Sequence, residues 1–360
     1  MAISYKNDGL STEKLIEDPK PGTDVSPEQI SVPDPQELRK AHLLLRGPTR
    51  KAVIMIQGSL SSYIREFLDS KGFTEAIPPV IGPVTDPGLR GADQATFDFY
   101  GTSYKIMSSA ILYKQMLAAS LGSIYLFAPN IRLEPVESIR TRRHLCEFYQ
   151  VDVEQANSTY HEAMALLEEL VANVIGRILT ERGELLGSLR SKLTKPSIPF
   201  KRIKHREAID LLNAKGFPAG YDSEIPWRGD IDLEKELSLL FSEPFFVYDY
   251  PYGSRSFYDR QDPTDASTLN CFDLIYPNGF GEAASGAERE YEYDKVLARI
   301  TESGENADQY GWYLEMLRDG IPPSSGFGIG LERFTRYVCG LDSIWEATPY
   351  PKLAGITGTP

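Results

Sequence analysis

Three stretches of the chain carry residues whose types and spacing suit chemistry on a charged ligand. The first is Gly326-Phe327-Gly328-Ile329-Gly330-Leu331-Glu332-Arg333. Alternate glycines let a backbone come close to a ligand, and the arginine stands at the start of a helix, where anions bind. A purely structural glycine turn explains the same run equally well. The pattern is GxGxG with no βαβ unit of about 30 residues around it, so a Rossmann reading is poor. The P-loop pattern GxxxxGK[ST] occurs nowhere. The second and third stretches are Asn130-Ile131-Arg132-Leu133-Glu134 and Arg142-Arg143-His144-Leu145-Cys146-Glu147-Phe148. They put two arginine clusters on strands joined by a charged loop, 134–143. Guanidinium forks match phosphate oxygens, and a phenylalanine can stack on a base. A salt-bridged surface hairpin is the alternative. No credible Ser-His-Asp set is present.

The elements that must position these residues are legible in the hydrophobic periodicity. Asp34, Pro35 and Glu37 read as a helix start. Ile54, Ile56, Leu60, Tyr63, Ile64 and Phe67 recur at helical spacing and predict a helix over 51–70, stopped by Gly72. Residues 73–77 read as a strand and 82–95, rich in Gly, Pro and Asp, as a loop. Short strands are predicted near 97–100 and 104–107, a helix over 109–121, and buried strands over 125–129 and 148–154. The stripe Leu166, Leu167, Leu170, Val174, Ile178 and Leu179 predicts an amphipathic helix over 160–182 with a packed core face. Residues 183–245 mix short helical and loop patterns. Strands return over 245–289, and a last helix begins near Gly330. Residues 1–36, with five prolines, read as an extended or flexible arm.

Composition bounds the function. The chain has 360 residues, 41% of them hydrophobic, enough for one large α+β domain with an insertion. No apolar stretch is long enough to span a membrane, and the N-terminus does not read as a secretory signal. Three cysteines, far apart, and four histidines, none at i,i+4 spacing, argue against a disulfide framework and a zinc site and for a cytoplasmic setting. Net charge is −13 and the sequence pI about 5.0, which lowers the expectation of a nucleic-acid partner without excluding a local basic patch.

Pro79 after Gly72-Phe73-Thr74-Glu75, the Arg132/Glu134 hairpin and the glycine-rich Arg333 helix follow one another in the order of the three class II aminoacyl-tRNA synthetase motifs. Arg143-His144-Leu145-Cys146-Glu147-Phe148 resembles the RHxxEF of the aspartyl/asparaginyl subgroup. Phe257-Tyr258, Phe272-Asp273-Leu274, Gly281-Glu282 and Ser285-Gly286 also match its run before the third motif. The resemblance covers about residues 50–353. It implies a mainly antiparallel sheet flanked by helices, with a helical insertion near 155–245, in a catalytic domain spanning 37–360. It also implies a homodimer and the cofactors ATP and Mg²⁺.

By the same resemblance, Arg132, Glu134 and Arg333 are catalytic. Arg132 holds the α-phosphate; Arg143, His144 and Arg333 hold the β- and γ-phosphates; Phe148 stacks on adenine. Asp273 and Glu282 hold Mg²⁺, at a spacing slightly longer than in the family. Lys114 and Arg289 match the pair that clamps a distal carboxylate, with Asp152 and Ser285 completing the pocket. A plain surface lysine is the alternative at 114. The subgroup's QSPQLYKQ appears here as Ser108-Ser109-Ala110-Ile111-Leu112-Tyr113-Lys114-Gln115, so Ile111 replaces a glutamine that helps hold the α-ammonium. An apolar residue cannot do that, and burying an unpaired ammonium is costly. Aspartate bound in reverse, its β-carboxylate toward ATP, explains Ile111; so does a substrate with no α-amino group. The chain therefore resembles the stand-alone, archaeal-type asparagine synthetases related to this subgroup. It is expected to adenylate aspartate or a similar dicarboxylate and pass it to ammonia or an amine, releasing AMP and pyrophosphate. An anticodon-reading OB barrel needs five strands, and the arm before residue 50 is too short and too rich in proline to build one. tRNA is accordingly expected not to be a partner. Aminoacylation of tRNA is the alternative. A catalytically inactive paralogue is disfavoured because Arg132, Glu282 and Arg333 are present.

Overall fold

A computed structural model describes residues 33–360, except Arg90, Pro226, residues 229–230 and the side chains of residues 227–228. The expected N-terminal arm lies outside the described residues up to Val32. Two short helices, α1 (Pro35–Arg39) and α2 (Ala41–Leu44), precede α3 (Pro48–Ser70). Asp34 caps the first of them, its carboxylate accepting from the Gln36 amide at 2.8 Å. Then come β1 (Thr74–Glu75), β2 (Ile81–Gly82), β3 (Thr96–Phe99), β4 (Thr102–Ile106), α4 (Ile111–Leu121), β5 (Ser123–Ile131), β6 (Glu147–Ala156) and α5 (Tyr160–Glu181). The chain continues through α6 (Gly183–Ser188), β7 (Lys201–Lys204), α7 (His205–Ala214), β8 (Trp227–Arg228), β9 (Ile231–Asp232), α8 (Leu233–Ser238) and β10 (Phe245–Tyr248). It closes with β11 (Cys271–Tyr276), β12 (Gly281–Glu288), α9 (Tyr293–Glu302), α10 (Gly311–Asp319), β13 (Ser324–Gly330) and α11 (Leu331–Cys339).

Eight strands form the main sheet in the order β1-β5-β6-β13-β12-β11-β10-β7. Its interior pairs are antiparallel; only the edge pairs β1–β5 and β7–β10 are parallel. Strand alternation sorts the side chains. Val151 and Val153 of β6, Phe327 and Ile329 of β13, and Phe272 and Leu274 of β11 enter one core with α3, α5 and α11. Gln150, Asp152 and Glu154, the residues between, fall on the opposite face with Gly326, Gly328 and Gly330.

Helix α5 bears out its stripe: Leu167, Leu170, Val174 and Ile178 are wholly buried, each contributing about 1.5–3 kcal/mol. Its start is fixed by a capping box, with Thr159 N donating to Glu162 Oε2 at 2.8 Å and Glu162 N to Thr159 Oγ1 at 3.3 Å. Helix α3 begins three residues earlier than its periodicity suggests, because Pro48 sits at a first-turn position.

The stretch 155–245 differs from the expected helical insertion. It includes α5, which belongs to the core, and β7, which extends the main sheet by pairing with β10. Helix α6 joins the main core through Leu186, while α7 and α8 pack on the other face of the sheet, where Ile209, Leu212, Leu233 and Leu237 bury against Cys271 and Ile275 of β11. Among the described residues no helix is long and apolar enough to cross a membrane.

Candidate active site

The sheet face opposite the main core is left open between α4 and α8, and a cavity of about 650 Å³ occupies it. Strands β6, β12 and β13 make the floor. Gly326 and Gly328 are glycines for a local reason: a Cβ at 328 would lie 2.0 Å from Gln150 Nε2, and one at 326 would lie 2.2 Å from Glu154 Oε2. The room left by the glycine run is taken by the protein's own polar side chains.

A bulge shapes β12. Pairing with β11 shifts between Leu274 and Ile275, leaving Ala283 extra. Glu282 and Ser285, three apart, would face opposite ways on a regular strand; the bulge lets both line the cavity.

At one end of the cavity stand Arg132, Glu134, Arg143, His144, Phe148, Glu282 and Arg333. The Arg132 guanidinium lies over the Phe148 ring at 5.1 Å, and its Nε donates to Ser108 O at 3.1 Å. Arg333 sits 3.2 Å from Glu282 Oε1. Arg143 is 2.8 Å from Asp232, 2.5 Å from Glu234 and 4.0 Å from Glu282. Burial by itself would raise the Glu282 carboxyl, but Arg333, Arg143 and Arg255 hold it down at about 2. For Glu234 burial wins: Arg143 offsets it only in part, nearby Glu282 and Asp232 add to it, and the carboxyl is pushed up to about 8. Burial also raises Glu134, against Arg132, Arg333 and Arg143. It pushes His144 well below the usual imidazole range, assisted by the same three arginines, so the ring is neutral. His144 Nδ1 lies 2.6 Å from Thr141 Oγ1.

The other end is built from Lys114, Asp152, Glu154, Arg289 and Asp259. Lys114 Nζ is 3.0 Å from Asp152 Oδ1 and 3.7 Å from Glu154 Oε2, and donates to Phe327 O at 3.3 Å. Arg289 meets Glu154 at 3.1 Å and Asp259 at 3.1 Å. Ser324 Oγ donates to Glu154 Oε1 at 2.8 Å. Lys114 is 2% exposed, so the surface-lysine alternative does not hold. Ile111 also lines this end and packs in an apolar cluster with Val84, Leu112 and Phe257.

The structure thus brings every expected site residue to one cavity except Asp273. That carboxylate lies behind the wall: Arg255 NH2 is 2.5 Å from its Oδ2, and Ser285 Oγ donates to its Oδ1. Among the described residues no group of three or more Asp, Glu, His or Cys is arranged to hold a metal ion. Glu282 fits an ion bound together with a polyphosphate; Asp273, with both oxygens engaged, does not.

Sequence reasoning missed Glu154, Asp259, Asp232, Glu234 and Arg255. For Glu154 a signal existed, since Gln150, Asp152 and Glu154 alternate with Val151 and Val153. The others come from elements too short to show a period, β9 and α8, or from the irregular stretch between β10 and β11.

The family described as tRNA synthetases class II (D, K and N) matches residues 34–354. The chain is a member of this class II synthetase family. An asparagine–tRNA ligase of Thermococcus gammatolerans is 36% identical over 86% of this chain and 71% of that protein. One from Koribacter versatilis is 32% identical over 86% of the chain and 70% of that protein. Among solved structures, asparaginyl-tRNA synthetase from Pyrococcus horikoshii complexed with asparaginyl-adenylate superposes with a TM-score of 0.84. It is 33% identical over 90% of this chain and 73% of that one. The large sheet flanked by helices is the class II synthetase core, and the chain is an ATP-dependent ligase of the class II synthetase type. The expectation that tRNA is not a partner is overturned, because these class II relatives are asparagine–tRNA ligases. Neither the low pI nor the proline-rich sequence before residue 50 bears on the synthetase core that the relatives share.

Proposed function

We propose that this synthetase activates asparagine as its adenylate and transfers it to tRNA. One observation carries the choice of amino acid. The acid end of the cavity sets two cations, Lys114 and Arg289, against three carboxylates, Asp152, Glu154 and Asp259. A formal excess of one negative charge suits a substrate that brings an ammonium and a neutral amide. A distal carboxylate must first displace Glu154 or Asp259 from Arg289. Asp152 Oδ2 is buried without a hydrogen-bond partner, which suits an incoming ammonium.

At the nucleotide end Phe148 stacks on the adenine and Arg132 holds the α-phosphate. Arg333 and Arg143 take the outer phosphates, exchanging carboxylate for phosphate partners. Glu282 would hold Mg²⁺ together with the triphosphate, and the ion would supply neutralisation of phosphate charge. The substrate carboxylate attacks the α-phosphorus in line, pyrophosphate leaves, and Arg132 stabilises the charge that develops. No covalent enzyme intermediate is needed. The apolar side chains of Met55, Ile77 and Val80, each more than half exposed around the first motif, support a homodimer. Sedimentation at micromolar concentration tests this.

One observation favours a second reading, transfer to ammonia or an amine. Ile111 leaves the α-ammonium one partner short, and aspartate bound in reverse avoids the gap. A single assay separates the two. Purified protein receives ATP, Mg²⁺ and either labelled asparagine or labelled aspartate, with tRNA or with ammonium. Labelled tRNA from asparagine supports the main reading. Free asparagine and AMP from aspartate replace it with the second. No pyrophosphate exchange with either acid rejects adenylation itself.

A further inference from the structure

Arg255 is a buried, heavily engaged cation beside the nucleotide end, and the reaction scheme above gives it no part. Its Nε is 2.7 Å from Glu224 Oε1. NH1 donates to Ser285 Oγ at 2.8 Å, and NH2 lies 2.5 Å from Asp273 Oδ2. The guanidinium rests 4.2 Å from the centre of the Tyr250 ring. Arg299 NH2 donates to the Arg255 carbonyl at 3.3 Å and fixes its backbone. Ser285 is paired directly with Asp273 across β11 and β12 and donates to the second carboxylate oxygen. Asp273 therefore has a built-in counter-ion and no oxygen turned to the cavity. Glu282, beyond the bulge, has one carboxylate face on the cavity.

We propose that Arg255 is a fixed internal cation standing where a second divalent ion would otherwise be held, so that Glu282, not the Asp273–Glu282 pair, is the protein's metal-binding acid. This rests on the reading that the cavity takes ATP. The argument is one of charge and geometry. A guanidinium hydrogen-bonded to Ser285 and Asp273 and ion-paired with Glu224 cannot turn away from Asp273 without leaving a carboxylate buried and unpaired. A metal ion brought to Asp273 would face that guanidinium at contact distance. The outer phosphates then meet one mobile ion and a rigid arginine framework.

The test is Mn²⁺ binding, followed by electron paramagnetic resonance, to the full chain with α,β-methylene-ATP. Calorimetry of the analogue runs alongside. The expected result has three parts. Asp273→Asn binds as much Mn²⁺ as the unaltered protein. Glu282→Gln loses about 10–100-fold in Mn²⁺ affinity. Arg255→Gln, which frees Asp273, binds additional Mn²⁺. Equal loss of Mn²⁺ in Asp273→Asn and Glu282→Gln overturns the proposal, and does so even if Arg255→Gln fails to fold. Absence of any analogue heat in the unaltered protein rejects the ATP reading first, a result distinct from normal analogue binding with the wrong Mn²⁺ count.

Discussion

The two ends of the cavity are made from the same ingredients, arginine or lysine against carboxylate, yet they differ in what water can reach. At the nucleotide end the side chains of the outer pair, Arg333 and Glu282, are 22% and 27% exposed, in front of a drier Arg143. At the acid end those of Lys114, Glu154 and Arg289 are 2%, 0% and 4% exposed. A partly hydrated ion pair is weak and easily exchanged for a stronger phosphate partner. A dry, hydrogen-bonded cluster is rigid, and breaking it by removing one member is costly. On the proposed reading, one end trades partners during each turnover. The other is built to hold a shape against which small differences in an amino acid register.

The comparison breaks most severely at Arg289. Arg289→Ala leaves Asp259 buried without its cation and Glu154 with only Lys114 at 3.7 Å, and is expected to cost about 3–5 kcal/mol of stability. A urea melt with an unchanged midpoint would show that this end is not the dry cluster described. Arg333→Ala, by contrast, should leave the melt nearly unmoved while ATP–pyrophosphate exchange falls about 10²–10³-fold. A fall in stability without a fall in exchange reverses the roles of the two ends.

Ile111→Gln sharpens the question of substrate orientation. If an ammonium lies beside position 111, a new acceptor there lowers the KM for asparagine several-fold, for a gain of about 1 kcal/mol. A raised KM points to the reversed orientation. The smallest effect concerns pH. Glu234, at about 8 when folded and near 4.5 when unfolded, adds stability below about pH 4.5 that is lost as pH rises toward 8. Glu282 works the other way: its contribution is present above about 4.5 and lost as pH falls toward 2. Glu234→Gln should therefore match the unaltered protein near pH 5 and exceed it at pH 8.5, by about 2–4 °C in melting temperature. Equal melting temperatures at both pH values would remove the cost assigned to the Glu234 charge.

What the sequence disclosed follows from how locally each feature is encoded. Arg132, Arg143 and Arg333 were legible because each sits in a short motif with its own turn chemistry. The α5 stripe was legible because helical burial repeats within one element. Asp232, Glu234 and Arg255 were not, since only the tertiary fold brings Asp232 and Glu234 to Arg143 and sets Arg255 against β11 and β12. The glycine run was half legible. Its need for close approach was visible, but not that Gln150, Asp152 and Glu154 would fill the space. The same limit hid β7, whose place at the sheet edge is set by β10 alone.

Strand β13 is the last of the sheet to be made, yet it sits between β6 and β12, near the middle. Until residues 324–330 leave the ribosome, β6 and β12 are open edges of two half-sheets, each presenting unpaired amides and carbonyls. The nascent chain must keep those edges apart from one another and from other chains. Closure then depends on contacts of large sequence separation, which form slowly. Newly made chains should accordingly depend on chaperones, and a ribosome-stalled fragment ending before residue 324 should aggregate where the full chain does not.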